Sequence, residues 1–312
     1  MTRDQREQRA RAVKDAARAL GFDACGIARA GHVDPEDRLG QWLGRGFHAD
    51  MDWMARTREL RQYVTRWLPG ARSVVVVARR YFQPDPPAPA EPHGKVARYA
   101  WGRDYHKVLK RPLRKLGEMV DAMAPGAESR ACVDSGPVME RAWAERAGIG
   151  WVGKNSLVLR RDLGSWFFLG ALMTTVELAP DAPVSAHCGS CRACIDACPT
   201  EAIVEPGVVD ARRCIAYHTI ENRGDIPEPL HGRMDGWVFG CDVCQEVCPW
   251  NRFARATDEP DFAAREGVAR PPLAELLAMD EKAYKARFEG TPVRRARHAG
   301  MLRNARIASK GG

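Results

Sequence analysis

Eight of the ten cysteines have the spacing of iron–sulfur ligands, so single-electron transfer is the first chemistry that this sequence predicts. The first four form C-x2-C-x2-C-x3-C-P, the last three form C-x2-C-x3-C-P, and one stands alone between the runs. In two-cluster ferredoxins the fourth cysteine of such a run binds the other cluster. The same exchange of the fourth cysteine here gives each of two [4Fe–4S] clusters four ligands and uses all eight cysteines. The first set is Cys188, Cys191, Cys194 and Cys248, and the second is Cys198, Cys214, Cys241 and Cys244.

Zinc is the competing interpretation of these cysteines, because C-x2-C pairs also occur in zinc ribbons. Three close cysteines followed by a C-P ending favour iron–sulfur clusters instead. The remaining two cysteines, Cys25 and Cys132, lie in apolar stretches and are interpreted as small buried side chains. The first 177 residues are too long and too apolar to serve only as a cover for the clusters. We therefore expect a cofactor there that receives the electrons.

Asp134 is the residue outside the cysteine runs whose position suggests catalysis. It ends a strand predicted over residues 131–134 and precedes a helix predicted over 138–147 that stops at Gly148. A carboxylate at such a strand end can act as a general acid if burial raises its pKa. The alternative is that Asp134 caps the following helix, and the spacing alone favours the cap. Residues 150–156 and 102–106 are small and polar and could approach a large ligand, but no nucleotide-binding glycine motif occurs.

The elements that must position these residues follow from hydrophobic periodicity. Residues 73–78 (SVVVVA) predict a buried strand, and residues 157–160 and 166–176 predict a hairpin. Strands that alternate with helices indicate an α/β or α+β domain over residues 1–177. A linker then leads to a ferredoxin-like module over 178–256 and a helical basic tail over 257–312. Helices are predicted over residues 3–20, from Asp34-Pro35 towards Leu43, and over 105–123, where Pro112 should start or kink a helix.

The composition is that of a soluble globular protein, with 45% hydrophobic and 28% charged residues among 312. No apolar run is long enough to span a membrane, and the N-terminus lacks a secretory signal, so we expect a cytoplasmic protein with no membrane partner. The net charge is +8, and residues 282–312 hold nine Lys or Arg and one acid, Glu289. Such a tail suits a polyanion such as nucleic acid, although a solvated helix face is equally compatible with the charge run.

Several motifs together resemble one known family. Residues 99–113 (YAWGRDYHKVLKRPL), 133–159 (VDSGPVMERAWAERAGIGWVGKNSLVL) and 240–253 (GCDVCQEVCPWNRF), with the cysteine runs, are similar to the epoxyqueuosine reductases over nearly the whole chain. The D-S-x-P-x-x-E-R and G-W-x-G-K-N-S segments are more specific than the cysteine runs, which many ferredoxins share. The resemblance implies a reductive-dehalogenase-like α/β domain that binds cobalamin, followed by two [4Fe–4S] clusters.

The same resemblance implies reduction of epoxyqueuosine to queuosine at the wobble position of tRNA. Electrons would pass from an external donor through the clusters to cobalamin, and Asp134 would be the proton donor, which reverses the preference for a helix cap. We expect a monomer. Relatives with a C-terminal helical-repeat extension exist, and this chain stops at Gly312 without one. The expected cobalamin contacts are Arg98, Asp134, Asn155, Ser156, Val158, Leu169 and Asp242, and the expected contacts with the tRNA anticodon loop are Arg223, His231, Arg233, Arg294, Arg295 and Arg297.

Two other functions are compatible with the cysteines. A two-cluster protein can carry electrons to a redox partner that docks on the large domain. A corrinoid reductive dehalogenase would also combine clusters with cobalamin, but those relatives are usually exported with a twin-arginine signal, which this N-terminus lacks.

Overall fold

The computed structural model describes residues 1–310, and the first half of the chain is built on one sheet of four strands. The helices of this half are α1 (Arg3–Ala19), α2 (Arg38–Gly44), α3 (Trp53–Arg56), α4 (Arg58–Gln62), α5 (Val64–Trp67), α6 (Tyr105–Asp121) and α7 (Glu140–Arg146). The strands are β1 (Ala24–Arg29), β2 (Ser73–Arg80), β3 (Lys95–Val96), β4 (Ser129–Cys132), β5 (Trp151–Val152), β6 (Val158–Leu159) and β7 (Phe167–Thr174). The sheet has the order β1-β2-β7-β4, and every neighbouring pair is antiparallel. Of the two predicted classes, this is the α+β arrangement.

Both faces of the sheet are covered by helices. Val75 and Val77 of β2 belong to a core with residues of α1 and α6, whereas Val74 and Val76 belong to a second core with residues of α5 and α7. Successive side chains of a strand point to opposite faces, so a strand buried on both sides needs a continuous apolar run. The SVVVVA segment has that run, and its prediction as a buried strand is confirmed.

The second half of the chain has short elements around the cysteines and longer helices after them. They are α8 (Ala193–Asp196), β8 (Ile203–Glu205), β9 (Val208–Val209), α9 (Ile215–Ile220), α10 (Glu228–His231), β10 (Trp237–Phe239), α11 (Val243–Glu246), α12 (Leu273–Ala278), α13 (Glu281–Arg287) and α14 (Arg297–Ala308). β8 and β9 form a hairpin, and β10 pairs in parallel with β3 from the first half.

One hydrophobic core joins all three predicted segments. It contains Trp101 from the first segment, Phe239 from the cysteine module and Phe288 from the C-terminal region. The boundaries predicted near residues 177 and 256 therefore do not separate independent packing units. Residues 257–310 form part of this shared core, so they are not the appended tail that the charge run suggested.

Most predicted elements of the first half are present, with three differences. α2 begins at Arg38, later than predicted, because Asp37 is the N-cap and the Asp34 carboxylate accepts from the first helical N–H groups. Pro112 lies inside α6 without ending it. The predicted hairpin is wrong: β6 pairs with β5, whereas β7 lies between β2 and β4 in the sheet. Among residues 1–310, no helix combines the length and the apolar character needed to cross a bilayer.

Candidate active site and cluster ligands

The predicted ligands of the first cluster lie around one pocket. Cys188, Cys191, Cys194 and Cys248 all line it, although Cys248 is far from the other three in sequence. This placement agrees with the exchange of the fourth cysteine that the sequence predicts. Cys191 is exposed, so this pocket opens to solvent.

The predicted ligands of the second cluster lie deeper and close to one another. Burial raises the pKa of Cys241, and the neighbouring Cys244 and Cys214 raise it further. Burial also raises the pKa of Cys214, with a contribution from Cys198. Mutual influence of this kind requires thiols that are near neighbours. The predicted ligands of the first cluster share one pocket, those of the second lie near one another, and the assignment of individual ligands stays a prediction. Within residues 1–310, no group of His, Cys, Asp or Glu is arranged to hold a single metal ion, which is what zinc would need.

Two residues of the 150–156 segment connect these ligand loops to the first half of the chain. The Lys154 ammonium donates to the carbonyls of Gly189 at 2.7 Å and Cys191 at 2.8 Å. The Asn155 side-chain amide donates to the Cys244 carbonyl at 3.3 Å. The segment that the sequence offered as a ligand contact therefore also fixes the cysteine loops. The role of Lys154 was not anticipated, because it depends on a partner more than thirty residues away.

Asp134 lies at the end of β4 with two aromatic neighbours from the first turn of α6. The Tyr105 hydroxyl donates to Asp134 Oδ2 at 2.5 Å, and His106 Nε2 lies 3.6 Å from the same oxygen. The other ring nitrogen of His106 is 2.7 Å from Asp104 Oδ1. The Asp134 side chain is 66% exposed. Asp134 does not cap α7, since Met139 is the N-cap of that helix and no side chain caps it. The helix-cap interpretation is wrong.

The protonation of this group is set by its neighbours. Although desolvation acts to raise it, the nearby His106 ring and the hydrogen bond from Tyr105 hold the pKa of Asp134 below its ordinary value. Burial alone would lower the pKa of His106, but the Asp104 and Asp134 carboxylates beside its two ring nitrogens raise it to about 9. Asp134 is therefore ionised at neutral pH, and His106 carries the proton. The sequence predicted for His106 a place in a polar cluster at a helix start, in contact with a ligand or with solvent, and not a contact with Asp134.

Glu140 holds the loop that carries Asp134. Its Oε1 atom accepts from the Asp134 N–H at 3.0 Å and from the Cys132 thiol at 3.4 Å. Asp134 itself has a left-handed backbone, with φ of 53°. Non-glycine residues in that conformation are strained, and they persist where surrounding contacts enforce them. The Glu140 contact with the Asp134 N–H is such a restraint.

Two of the expected cobalamin contacts, Arg98 and Asp242, have enclosed side chains that are 4% and 3% exposed. The Arg98 N–H donates to Asp242 Oδ2 at 2.6 Å, and the guanidinium donates to Asp85 at 2.7 Å. The same guanidinium lies over the rings of Trp101 and Trp166. These contacts tie both residues to the loop of Cys241, whereas Arg98 Nη1 is buried without a hydrogen-bond partner, so contact of Arg98 and Asp242 with cobalamin stays a prediction.

The other expected cobalamin contacts lie on the side of Asp134. β4 pairs with β7 up to Cys132 and Ala171, so the loop of Asp134 leaves the sheet next to the part of β7 that carries Leu169. Leu169 is the one residue of β7 that is not buried. Ser156 has a left-handed backbone, with φ of 65°, and accepts from Arg141 at 2.9 Å. Val158 is buried next to this surface, in the same core that Leu169 contacts.

Four of the six residues expected to contact tRNA are already engaged within the protein. Arg295 pairs with Glu221 at 2.8 Å, and Arg223 donates to the Ala296 carbonyl at 3.2 Å. The remaining two engaged residues are His231, which contacts the Ile226 carbonyl, and Arg233, which pairs with Glu201. Arg294 and Arg297 are exposed, and neither has a side-chain hydrogen bond or ion pair with the described residues.

Comparison with known proteins identifies the family. Residues 61–135 match the family model described as epoxyqueuosine reductase QueG, DUF1730, and residues 187–251 match the 4Fe-4S double cluster binding domain. The epoxyqueuosine reductase of Synechocystis sp. is 48% identical over 285 residues, which is 90% of this chain and 98% of that protein. The Escherichia coli K12 epoxyqueuosine reductase is 45% identical over 309 residues, covering 96% of this chain and 80% of that protein. The chain belongs to the epoxyqueuosine reductase family.

Solved structures of epoxyqueuosine reductases share this fold. One was determined with an epoxyqueuosine-modified tRNA-Tyr stem loop; it has a TM-score of 0.89 and 31% identity, over 97% of this chain and 81% of that one. Another, from Bacillus subtilis, has its catalytic aspartate loop swung out of the active site; its TM-score is 0.90, with 31% identity over 97% of this chain and 82% of that one. The predicted fold class and membership of an oxidoreductase family are thus confirmed.

Proposed function

We propose that this protein reduces epoxyqueuosine to queuosine at the wobble position of tRNA, with two [4Fe–4S] clusters, cobalamin and a proton delivered at Asp134. The observation that carries the proposal is the group formed by Asp134, Tyr105 and His106 at the exposed end of β4. The names of the relatives and the stem loop bound to one of them point to the same substrate. Because tRNA is the substrate, we place the protein in the cytoplasm. We also propose that it acts as a monomer and receives electrons from an external donor.

The residues around Asp134 fit a broad flat cofactor such as cobalamin. Leu169 offers an apolar surface beside Asp134, and Ser156 offers backbone in a left-handed conformation. Asn155 and Val158 lie behind that surface, and Asn155 connects it to the loop of Cys244. These residues would hold the group, with Arg98 and Asp242 fixing the cluster loop. When bound, cobalamin supplies low-valent cobalt as reductant, and the clusters supply single electrons.

The two cysteine groups suggest a direction for the electrons. An external donor can approach the first group, because Cys191 is exposed. The second group has no exposed cysteine, and its Cys244 loop contacts Asn155, on the proposed cobalamin side of the molecule. We therefore propose that electrons enter near Cys191 and leave near Cys244.

Proton delivery is the step of the reaction that side chains of this protein would carry out. Removal of the epoxide oxygen as water consumes electrons and protons in equal number, and an unprotonated alkoxide is a poor leaving group. A positioned acid contributes about 10²–10⁴ in rate. Since Asp134 is ionised and His106 is protonated, the proton would move from His106 Nε2 to Asp134 Oδ2, 3.6 Å away, and from there to the departing oxygen, which leaves His106 neutral and Asp134 ionised again. Tyr105 keeps the carboxylate oriented through its hydrogen bond.

The test is anaerobic reconstitution with iron, sulfide and cobalamin, followed by mass analysis of the nucleosides of epoxyqueuosine-modified tRNA. We expect queuosine from the wild type and a loss of about 10² or more in turnover for Asp134→Asn. Asp162→Asn, which changes a half-exposed carboxylate in another loop, is the matched control. Visible absorption must show equal cofactor loading in all three proteins. Near-normal turnover by Asp134→Asn would refute the role of Asp134, and a loaded wild type that yields no queuosine would refute the proposed function.

A further inference from the structure

The outward face of α6 carries a strip of five cations. They recur at intervals of three, one, three and one residues, which places them along one side of a helix. Together they line a shallow surface pocket that they share with Glu118. The five are Lys107, Lys110, Arg111, Arg114 and Lys115. The buried face of the same helix, with Leu109, Leu113 and Leu116, packs on the sheet.

None of the five cations of this α6 strip has a side-chain hydrogen bond or an ion pair with any residue from 1 to 310. Other basic residues of the same part of the chain are paired; for example, Arg103 pairs with Asp261 and Arg130 with Glu128. Like charges three or four residues apart on a helix repel one another and destabilise it slightly. An anionic partner that binds along the strip would remove this repulsion.

The position of the strip identifies the partner. It begins at Lys107, directly after His106, whose ring lies 3.6 Å from Asp134. The helix rises about 1.5 Å per residue, so the strip extends about 12 Å away from the active-site group. That length spans the phosphates of several nucleotides. No residue of α6 lines the pocket of Cys188 and Cys191, where a redox protein would have to dock.

We propose that the α6 strip binds the phosphate backbone of the RNA stem next to the base that is held at Asp134. This inference rests on the proposed function, because that function makes RNA the substrate. It gives the RNA a binding surface other than the C-terminal arginines. Phosphate contacts fix the position of a nucleic acid without reading its sequence. A helix face of Lys and Arg beside the catalytic group is suited to that task, since it sets how far the loop reaches into the site.

The experiment measures binding of a tRNA-Tyr anticodon stem loop to the reconstituted full chain by fluorescence anisotropy over a series of salt concentrations. The test variant is Lys110→Gln/Arg111→Gln/Arg114→Gln. Each lost phosphate contact should lower the slope of log K against log salt by about 0.7–0.9, so the triple variant should lower it by about 2–3. At about 0.1 M salt, a change of this size in the slope corresponds to a roughly 10²-fold loss of affinity for the stem loop.

The matched control is Arg3→Gln/Arg11→Gln/Arg18→Gln on α1, which removes the same charge from another exposed helix. We expect its slope to stay near that of the wild type. Arg294→Gln/Arg297→Gln compares the C-terminal surface in the same assay and should change the slope less than the α6 variant does. Circular dichroism and cluster absorbance must show that the α6 variant is folded and loaded.

Each outcome decides the inference. A slope of the α6 variant equal to that of the α1 control, or RNA binding that stays intact while reduction by an acidic donor protein slows, would overturn it. Stem-loop binding that depends on the α6 strip in a protein that forms no queuosine would support the inference and refute the proposed function. Queuosine formation by the wild type, with stem-loop binding that does not change in the α6 variant, would support the proposed function and refute the inference.

Discussion

Replacement of Asn304 by leucine should empty the second cluster site before it unfolds the protein. Asn304 lies on α14 and is 1% exposed. Its side-chain amide donates to the Thr219 carbonyl at 3.0 Å and to the Val238 carbonyl at 2.8 Å. Leucine has the same branched shape, with a somewhat larger volume, but no donor, so both buried carbonyls would lose their partner.

The free-energy cost of the substitution follows from the two carbonyl groups, of Thr219 and Val238, that lose their donor. A buried polar group left without a hydrogen bond costs about 1–3 kcal/mol, so the pair costs about 2–6 kcal/mol. Whole domains are stable by only about 5–15 kcal/mol. The loss falls on two segments that carry cluster ligands: Thr219 is in α9, which starts directly after Cys214, and Val238 is in β10, which ends shortly before Cys241. Thr219 also accepts from the Gly240 N–H, next to Cys241.

The assay is iron and sulfide content per chain after anaerobic reconstitution. Two [4Fe–4S] clusters give about eight irons in the wild type, and we expect Asn304→Leu to fall towards about four. Leu116→Ala is the control, because Leu116 is fully buried in the other core and its truncation costs a similar amount, about 2–5 kcal/mol. The reasoning is refuted if Asn304→Leu keeps about eight irons, or if Leu116→Ala loses as many.

Two further predictions concern charged groups. Because the Asp104 and Asp134 carboxylates raise the pKa of His106 to about 9, its proton is present below that pH and lost above it, so turnover of the loaded wild type should fall as pH rises through about 9. His106→Gln should turn over more slowly and lack this step, and a step that persists in the variant contradicts the assignment. Arg98→Leu should lower the free energy of unfolding by about 3–5 kcal/mol, because it leaves Asp242 buried without its cation. Denaturant unfolding measures this, and Arg98→Leu/Asp242→Asn should recover part of the loss.

The cysteine groups were predictable because the spacing of ligand motifs is a local property of the sequence. Even the contribution of Cys248 to the first group follows from the motif, and the structure places it there. The position of Asp134 at a strand end was predictable for the same reason. Its proton partner was not, because His106 reaches Asp134 only through the packing of α6 against the sheet. The direction of its pKa shift could not be predicted either, since it depends on the contacts of Asp134 with Tyr105 and His106.

The prediction of a hairpin over residues 157–176 was wrong, and the apolar pattern of the sequence explains why. FFLGALMT is apolar at nearly every position, and a strand buried on both faces needs that pattern, whereas a surface hairpin alternates. β7 accordingly lies between β2 and β4. The cations of the α6 strip recur at helical spacing in the sequence, but the charge run near the C-terminus has the same character. Whether a cation is paired within the protein can be decided only from the fold.

The cluster loops depend on both ends of the chain, and this explains why the predicted segment boundaries do not match the packing. The loop of Cys241 and Cys244 is fixed by Arg98 through Asp242, by Asn155 through a carbonyl, and by Asn304 through β10. Each contact crosses a boundary that composition alone suggests. Electron transfer needs a fixed distance between donor and acceptor, whereas a ferredoxin module joined by a free linker would leave that distance variable. The buried Arg98–Asp242 pair and the shared core remove that freedom, so the cysteine module and the first half of the chain pack as one unit.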